Sequence, residues 1–154
     1  MKNDTLKVVI TNDHAAIPLK QELLAYLKSR PGTEVTDQGA TEKDGIDYTD
    51  YAAKTCKSIT SGDFNMGIFL CGTGAGMCIT ANKIRGIRAV VCSDPYTAKL
   101  SREHNDANVL CIGARVVGAE LAKMIADIFL DSKPFGGRHG ERVDKIKLIE
   151  AGEL

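Results

Sequence analysis

The sequence predicts an α/β fold: a five-stranded parallel sheet with helices on both faces. Three observations predict it. Five short apolar runs, several rich in β-branched residues, recur along the 154 residues. Between them lie amphipathic stretches whose apolar residues recur at helical spacing. Strand-helix alternation of this kind is satisfied by a parallel sheet whose crossovers are helices. The length fits one domain, 1–154, with a core large enough to need no disulfide or metal staple.

The elements follow in order. LKVVIT (6–11) is a buried strand closed by Asn12-Asp13. Leu19, Leu23, Leu24 and Leu27 mark a helix over 15–29, with Pro18 in its first turn and Pro31-Gly32 beyond its end. TEVTDQG (33–39) is a weaker strand. Asp47 or Thr49 caps a helix over about 50–61, closed by Ser61-Gly62. MGIFLC (66–71) is a strand, followed by a glycine-rich turn and a helix to about Ile84. GIRAVVC (86–92) is the next strand, and Pro95 opens the helix after it. ANVLCIG (107–113) is the fifth strand. Leu121, Met124, Ile125, Ile128 and Phe129 give a helical stripe over 118–130. After KPFGGRHG comes a last helix, about 139–151, with Val143, Ile146 and Ile149; it packs on its own sheet or on a partner subunit. In such folds the loops at the carboxyl ends of the strands form the binding crevice. Here they are Asn12–Ala16, Gly39–Tyr48, Cys71–Gly76, Ser93–Tyr96 and Gly113–Gly118.

Composition narrows the function classes. Twenty basic and twenty acidic side chains give zero formal net charge, which weighs against nucleic acid as a partner. A small anion needs only a few local cations and stays open. No apolar run is long enough to span a bilayer. The segment MKNDTLKVVITND is too short and too polar to read as a signal peptide. Cys56, Cys71, Cys78, Cys92 and Cys111 are odd in number and show no CxxC spacing, so they read as reduced thiols of a cytoplasmic protein.

The segment GIFLCGTGAGMCITANK (67–83) carries the strongest local signal. Gly72, Gly74 and Gly76 alternate between a strand and a helix. That spacing lets backbone N–H groups converge on an anion, and it equally serves a tight turn. Dinucleotide binding is a rival, with Asp94 about twenty residues on, but Met77 stands at the third glycine position. Cys71 sits at the strand end beside a helix start, where a thiol becomes a base or nucleophile, or is plain core. His14 and His104 lie at or near the expected crevice and suit proton transfer; His139 reads as an inert surface residue. Arg138 and Arg142 share one face if the last helix starts near Arg138, and Arg115 follows the fifth strand. Guanidinium forks match phosphate oxygens, although a solvated helix face explains the pair as well.

NDHA (12–15), DYTDYA (47–52), CGTGAGMCITANKIRGIRAVVC (71–92), SREHNDANVL (101–110), GARVVG (113–118) and GGRHGERV (136–143) occur in this order. Together they resemble ribose-5-phosphate isomerase type B and its relatives, the galactose-6-phosphate isomerase subunits. The resemblance implies a Rossmann-like three-layer α/β/α sandwich, a homodimer or dimer of dimers, no metal and no organic cofactor. It implies a cytoplasmic enzyme of the pentose phosphate pathway whose partner is a small sugar phosphate, not nucleic acid or membrane. It further implies that Cys71 moves a proton between C1 and C2. Backbone groups of Gly72, Gly74, Ala75 and Gly76, with Thr73, would hold the enediolate oxygen. His104, assisted by Asp13, would open the furanose. His14, Arg115, Arg138 and Arg142 would hold the phosphate, and Tyr48 and Asn105 would line the sugar. Cys71 and His104 would come from different subunits, on crevice loops joined by a two-fold axis. Ala16, Thr49 and Cys78 depart from the usual glycine, proline and serine. The expected reaction is ribose 5-phosphate to ribulose 5-phosphate; alternatives are a hexose-6-phosphate isomerase and a nucleotide-binding module using Gly72–Gly76 and Asp94.

Overall fold

A computed structural model describes residues 5–42 and 45–154. The first four residues of the polar N-terminal segment, and Lys43 and Asp44 of the expected Gly39–Tyr48 loop, lie outside them. Among the described residues five strands are formed: β1 (Leu6–Asn12), β2 (Thr33–Asp37), β3 (Met66–Cys71), β4 (Ala89–Val91) and β5 (Val109–Gly113). The same residues form six α-helices: α1 (Ile17–Lys28), α2 (Tyr48–Thr60), α3 (Ala75–Ala81), α4 (Pro95–Asn105), α5 (Ala119–Asp131) and α6 (Gly137–Ala151). The sheet is parallel throughout, in the order β2-β1-β3-β5-β4.

Side chains alternate across the three central strands, and each face has its own core. Val8, Ile10, Ile68, Leu70, Leu110 and Ile112 pack against Leu23 and Leu27 of α1, Ala98 of α4, and Ile125 and Phe129 of α5. Val9, Phe69, Cys71, Val109 and Cys111 point the other way, against Ala52 and Cys56 of α2 and Met77 and Ala81 of α3. The result is the expected three-layer sandwich. On its outer surface α1 is braced to α5: the Tyr26 hydroxyl donates to Asp127, and Arg30 pairs with Asp127 and Asp131.

The ends of the elements show where long-range contacts override local pattern. His14–Ala16 form a 3₁₀ turn before α1. Asp47, not Thr49, caps α2; its Oδ1 accepts the Thr49 N–H at 2.9 Å and the Thr49 hydroxyl at 2.6 Å. Strand β4 is three residues long, against the seven expected. Gly86, at φ +86°, is held by the Glu150 carboxylate (2.9 and 3.0 Å), and the Asn108 side chain takes the Arg88 N–H at 2.8 Å. Helix α3 stops at Ala81 because Asn82 is used elsewhere. Its side chain accepts the Ala89 N–H (2.8 Å) and donates to the Ala89 carbonyl (2.9 Å), so it covers the open edge of β4 like a short neighbouring strand.

Helix α6 packs on α4 of its own chain, anchored where the Phe135 N–H donates to the Glu103 carbonyl at 2.9 Å. Of its apolar stripe only Val143 is buried; Ile146 and Ile149 are 44% and 58% exposed. No helix among the described residues is long and apolar enough to cross a membrane.

Two substitutions check this layering. Phe129 is fully buried between α5 and the sheet. Phe129→Ala is expected to lower the unfolding free energy by about 3–5 kcal/mol in urea titrations. Lys54→Ala, on the exposed face of α2, is expected to change it by less than about 0.5 kcal/mol.

Candidate active site

The chain leaves β1 towards one edge of the sheet and β3 towards the other, so a crevice opens at their carboxyl ends. Asn12 and Leu70 are register partners there, as are Cys71 and Gly113. The Asp13 N–H donates to the Leu70 carbonyl at 3.0 Å, and its Oδ1 accepts the Ala15 N–H at 2.9 Å. Asp13 is therefore buried and fixed, and the turn it caps leaves His14 exposed on the rim. Ala16 sits at φ −113°, so it fits this turn without strain. Beneath it the Asn12 amide donates to the Asp13 carbonyl at 2.7 Å. Gly39 makes room for that side chain, since a Cβ there would lie 1.9 Å from Asn12 Oδ1.

Cys71 ends β3 with 5% of its surface exposed, and its sulfur accepts the Gly74 N–H at 3.2 Å. Gly74 holds φ +80° as the cap of α3, a conformation that favours glycine. The loop is tied to the one after β5. The Ala114 N–H donates to the Cys71 carbonyl (2.8 Å) and the Arg115 N–H to the Gly72 carbonyl (3.0 Å). Gly113 allows the closest approach: a Cβ there would meet the Thr73 carbonyl at 2.7 Å. The Arg115 guanidinium lies over Gly72, and the Tyr48 ring lies against Gly76. The Thr73 hydroxyl is exposed and accepts the Ala75 N–H at 3.3 Å. One rim thus gathers Asp13, His14, Tyr48, Cys71, Gly72, Thr73, Gly74, Ala75, Gly76 and Arg115.

His104 corrects the expectation that it lies on a crevice loop. Helix α4 starts after the carboxyl end of β4 and runs back to the amino end of β5, ending at Asn105. Its eleven residues span about 16 Å. His104 and Asn105 therefore sit on the opposite rim of the sheet, and the Asn105 carbonyl accepts Arg88 Nε at 3.2 Å just before β4. The segment leading into α6 joins them there. His139 stacks on His104, with ring centroids 4.0 Å apart and planes 4° from parallel, and Phe135 lies 5.9 Å from His104. Helix α6 starts at Gly137, so Arg138 and Arg142, both exposed, fall one turn apart as expected. Partial desolvation, reinforced by His104, Arg142 and Arg138, holds the His139 pKa below the usual imidazole range. His139 thus stacks on His104 beside these arginines and is not an isolated surface residue.

The candidate residues form two half-sites, one per rim, and a single chain does not bring Cys71 to His104. The dinucleotide reading loses its acidic residue. Asp94 is used as the cap of α4, accepting the Thr97 N–H and hydroxyl at 2.7 Å each, which hold its carboxyl below the usual range. Met77 is fully buried core. Burial pushes Cys56 and Cys92 up to about 12, in keeping with core thiols. Among the described residues no group of three or more His, Cys, Asp or Glu is placed to hold a metal.

Comparison with known proteins fits this geometry. A family profile described as Ribose/Galactose Isomerase matches residues 8–146. Ribose-5-phosphate isomerase B of Escherichia coli is 50% identical over 144 residues, 94% of this chain and 96% of that protein. D-erythrulose-4-phosphate isomerase of Pectobacterium atrosepticum is 44% identical, over 96% of this chain and 97% of its own. The solved structure of ribose-5-phosphate isomerase B from Clostridium thermocellum superposes with a TM-score of 0.92 at 46% identity, covering 97% of this chain and all of its own. Likeness in sequence and in backbone therefore runs through both rims, and the chain belongs to the Ribose/Galactose Isomerase family.

Proposed function

We propose that this isomerase interconverts ribose 5-phosphate and ribulose 5-phosphate, by ring opening followed by proton transfer through an enediolate. The carrying observation is the near-full-length identity to the Escherichia coli ribose-5-phosphate isomerase B. The rim of a glycine-rich loop around a strand-end thiol gives that identity a chemical meaning.

In this proposal the site is shared by two copies. His104 of one copy protonates the furanose ring oxygen while Asp13 of the other takes the proton of the anomeric hydroxyl, and the C1 aldehyde forms. The Cys71 thiolate then takes the C2 proton. Backbone N–H groups of Gly72–Gly76 and the Thr73 hydroxyl hold the negative oxygen of the enediolate, the O2 proton passes to O1, and the thiol returns its proton to C1. Arg138 and Arg142 of one copy, with His14 and Arg115 of the other, hold the phosphate. Tyr48 and Asn105 line the sugar, and His139 orients His104 by stacking on it. Two features support sharing: the opposite rims of His104 and Cys71, and the exposed Ile146 and Ile149 of α6, an apolar face for a partner subunit.

Comparison of kcat/KM across four-, five- and six-carbon sugar phosphates tests the substrate. Ribose 5-phosphate is expected to lead, and a clear preference for erythrulose 4-phosphate or a hexose 6-phosphate would overturn the five-carbon assignment. Cys71→Ala is expected to lower kcat by about 10²–10⁴-fold with ligand affinity changed only a few-fold, since its role lies in the transition state. Arg142→Ala is expected to act mainly on KM for the phosphorylated sugar. Co-refolding equal amounts of Cys71→Ala and His104→Ala, each nearly inactive alone, tests sharing. About half of the dimers are then mixed, each with one intact site, and roughly a quarter of wild-type activity returns. Verified mixed dimers without activity would place both residues in one site of one chain.

A further inference from the structure

Asn12 closes β1 beneath the carboxyl rim, and no step of the proposed reaction uses it. It is fully buried. Its amide donates to the Asp13 carbonyl at 2.7 Å. Its Oδ1 has no hydrogen-bond partner among the described residues. A buried polar oxygen left unpaired costs stability, and an apolar side chain of similar shape would avoid that cost. An apolar side chain could not make the bond to Asp13.

The other side of the Asn12 amide meets a braced turn. Gly39, just past β2, lies against Oδ1. The Gly39 N–H donates to Asp37 Oδ1 at 2.8 Å. Lys20 of α1, itself buried, pairs with Asp37 Oδ2 at 2.9 Å and donates to the Ala40 carbonyl at 3.0 Å. The Ala40 N–H returns to the Asn12 carbonyl at 3.3 Å. These contacts fix the Gly39–Ala40 turn over Asn12. Beyond Asn12, Asp13 is tied by its N–H to Leu70 of β3 and by its Oδ1 to the Ala15 N–H. With Oδ1 used in this way, Oδ2 is the oxygen left for a substrate proton.

We propose that Asn12 is a positioning residue for ring opening. Set between the Gly39–Ala40 turn and Asp13, it fixes the Asp13 peptide, and with it the direction of the carboxylate oxygen that takes the anomeric proton. The proposal rests on the ring-opening role given to Asp13 above. Without the Asn12 amide, the Asp13 carbonyl keeps the longer bond from the Ala16 N–H, at 3.3 Å, and its peptide is free to tilt. An error of about 1 Å in a reacting group costs on the order of 10²-fold in rate. Ring opening uses Asp13 and His104, whereas enediolate formation uses Cys71 and the glycine-rich loop. Loss of Asn12 therefore slows the first step and spares the second.

Ring opening is read by itself in the Cys71→Ala enzyme, which cannot move the C2 proton. NMR exchange spectroscopy of ribose 5-phosphate follows the interconversion of its α and β furanoses, which passes through the open aldehyde. Cys71→Ala is expected to speed this interconversion above the buffer rate, and adding Asp13→Asn is expected to remove the gain. Adding Asn12→Ala, or the branched isostere Asn12→Leu, is expected to cut the gain by about tenfold or more, with affinity for ribose 5-phosphate changed only a few-fold. The second readout keeps Cys71. Ribulose 5-phosphate carries its phosphate on O5 and forms no furanose, so exchange of its C1 proton with solvent deuterium needs Cys71 and not Asp13. Asn12→Ala is expected to leave that exchange within about twofold of wild type, whereas a loosened rim would slow both reactions. Full anomer interconversion in both Asn12 variants overturns the proposal, as does an equal loss of interconversion and C1 exchange. If Cys71→Ala gives no gain, or Asp13→Asn keeps it, the ring-opening role of Asp13 fails and the proposal falls with it.

Discussion

A parallel sheet sends the carboxyl ends of all its strands to one rim, and its crossover helices return the chain to the other. That constraint decides how this protein distributes its chemistry. Cys71, at the end of β3, can only lie on the first rim. His104, at the end of α4, can only lie on the second. About 16 Å of helix keeps them apart within one chain. A proton-transfer site needs its groups within hydrogen-bond reach of one substrate. The shared site we propose meets that need by joining the two half-sites across a contact between copies, and the apolar stripe left open on α6 offers a surface for that contact.

The carboxyl rim is held more tightly than a loop usually is. Backbone bonds tie the segment after β5 to the one after β3, and Gly113 brings the two segments close enough that no side chain fits between them. Gly74 then points its N–H at the Cys71 sulfur instead of at solvent. Preorganisation of this type matters because donors that need not move are worth more when charge develops. The amino rim is built by stacking: His104, His139 and Phe135 form one ring cluster, and the Phe135–Glu103 backbone bond sets where α6 begins.

Much of this was legible in the residues. The turn residues after each strand, Asp47 as one of two candidate caps of α2 and Pro95 at the start of α4 act locally, so their meaning survives without knowledge of the fold. The residues of the carboxyl rim were legible for the same reason, since each follows a readable strand. Two features depended on distant partners and were not legible. Strand β4 is cut short by Glu150 of α6 and by Asn108. His139 owes its place to stacking on a residue thirty-five positions earlier. His104 is a different case: its rim follows from the direction of a crossover helix, and placing it in the crevice loops neglected that direction.

The composite site is tested most directly by a crystal structure of the enzyme with an open-chain five-carbon phosphate bound. The account predicts one ligand spanning two copies. Its C1–C2 end would lie against Cys71 and Thr73 of one copy, and its phosphate would lie against Arg138 and Arg142 of the other. A ligand held by the residues of one copy alone, or one whose C1–C2 end lies away from Cys71, would contradict it.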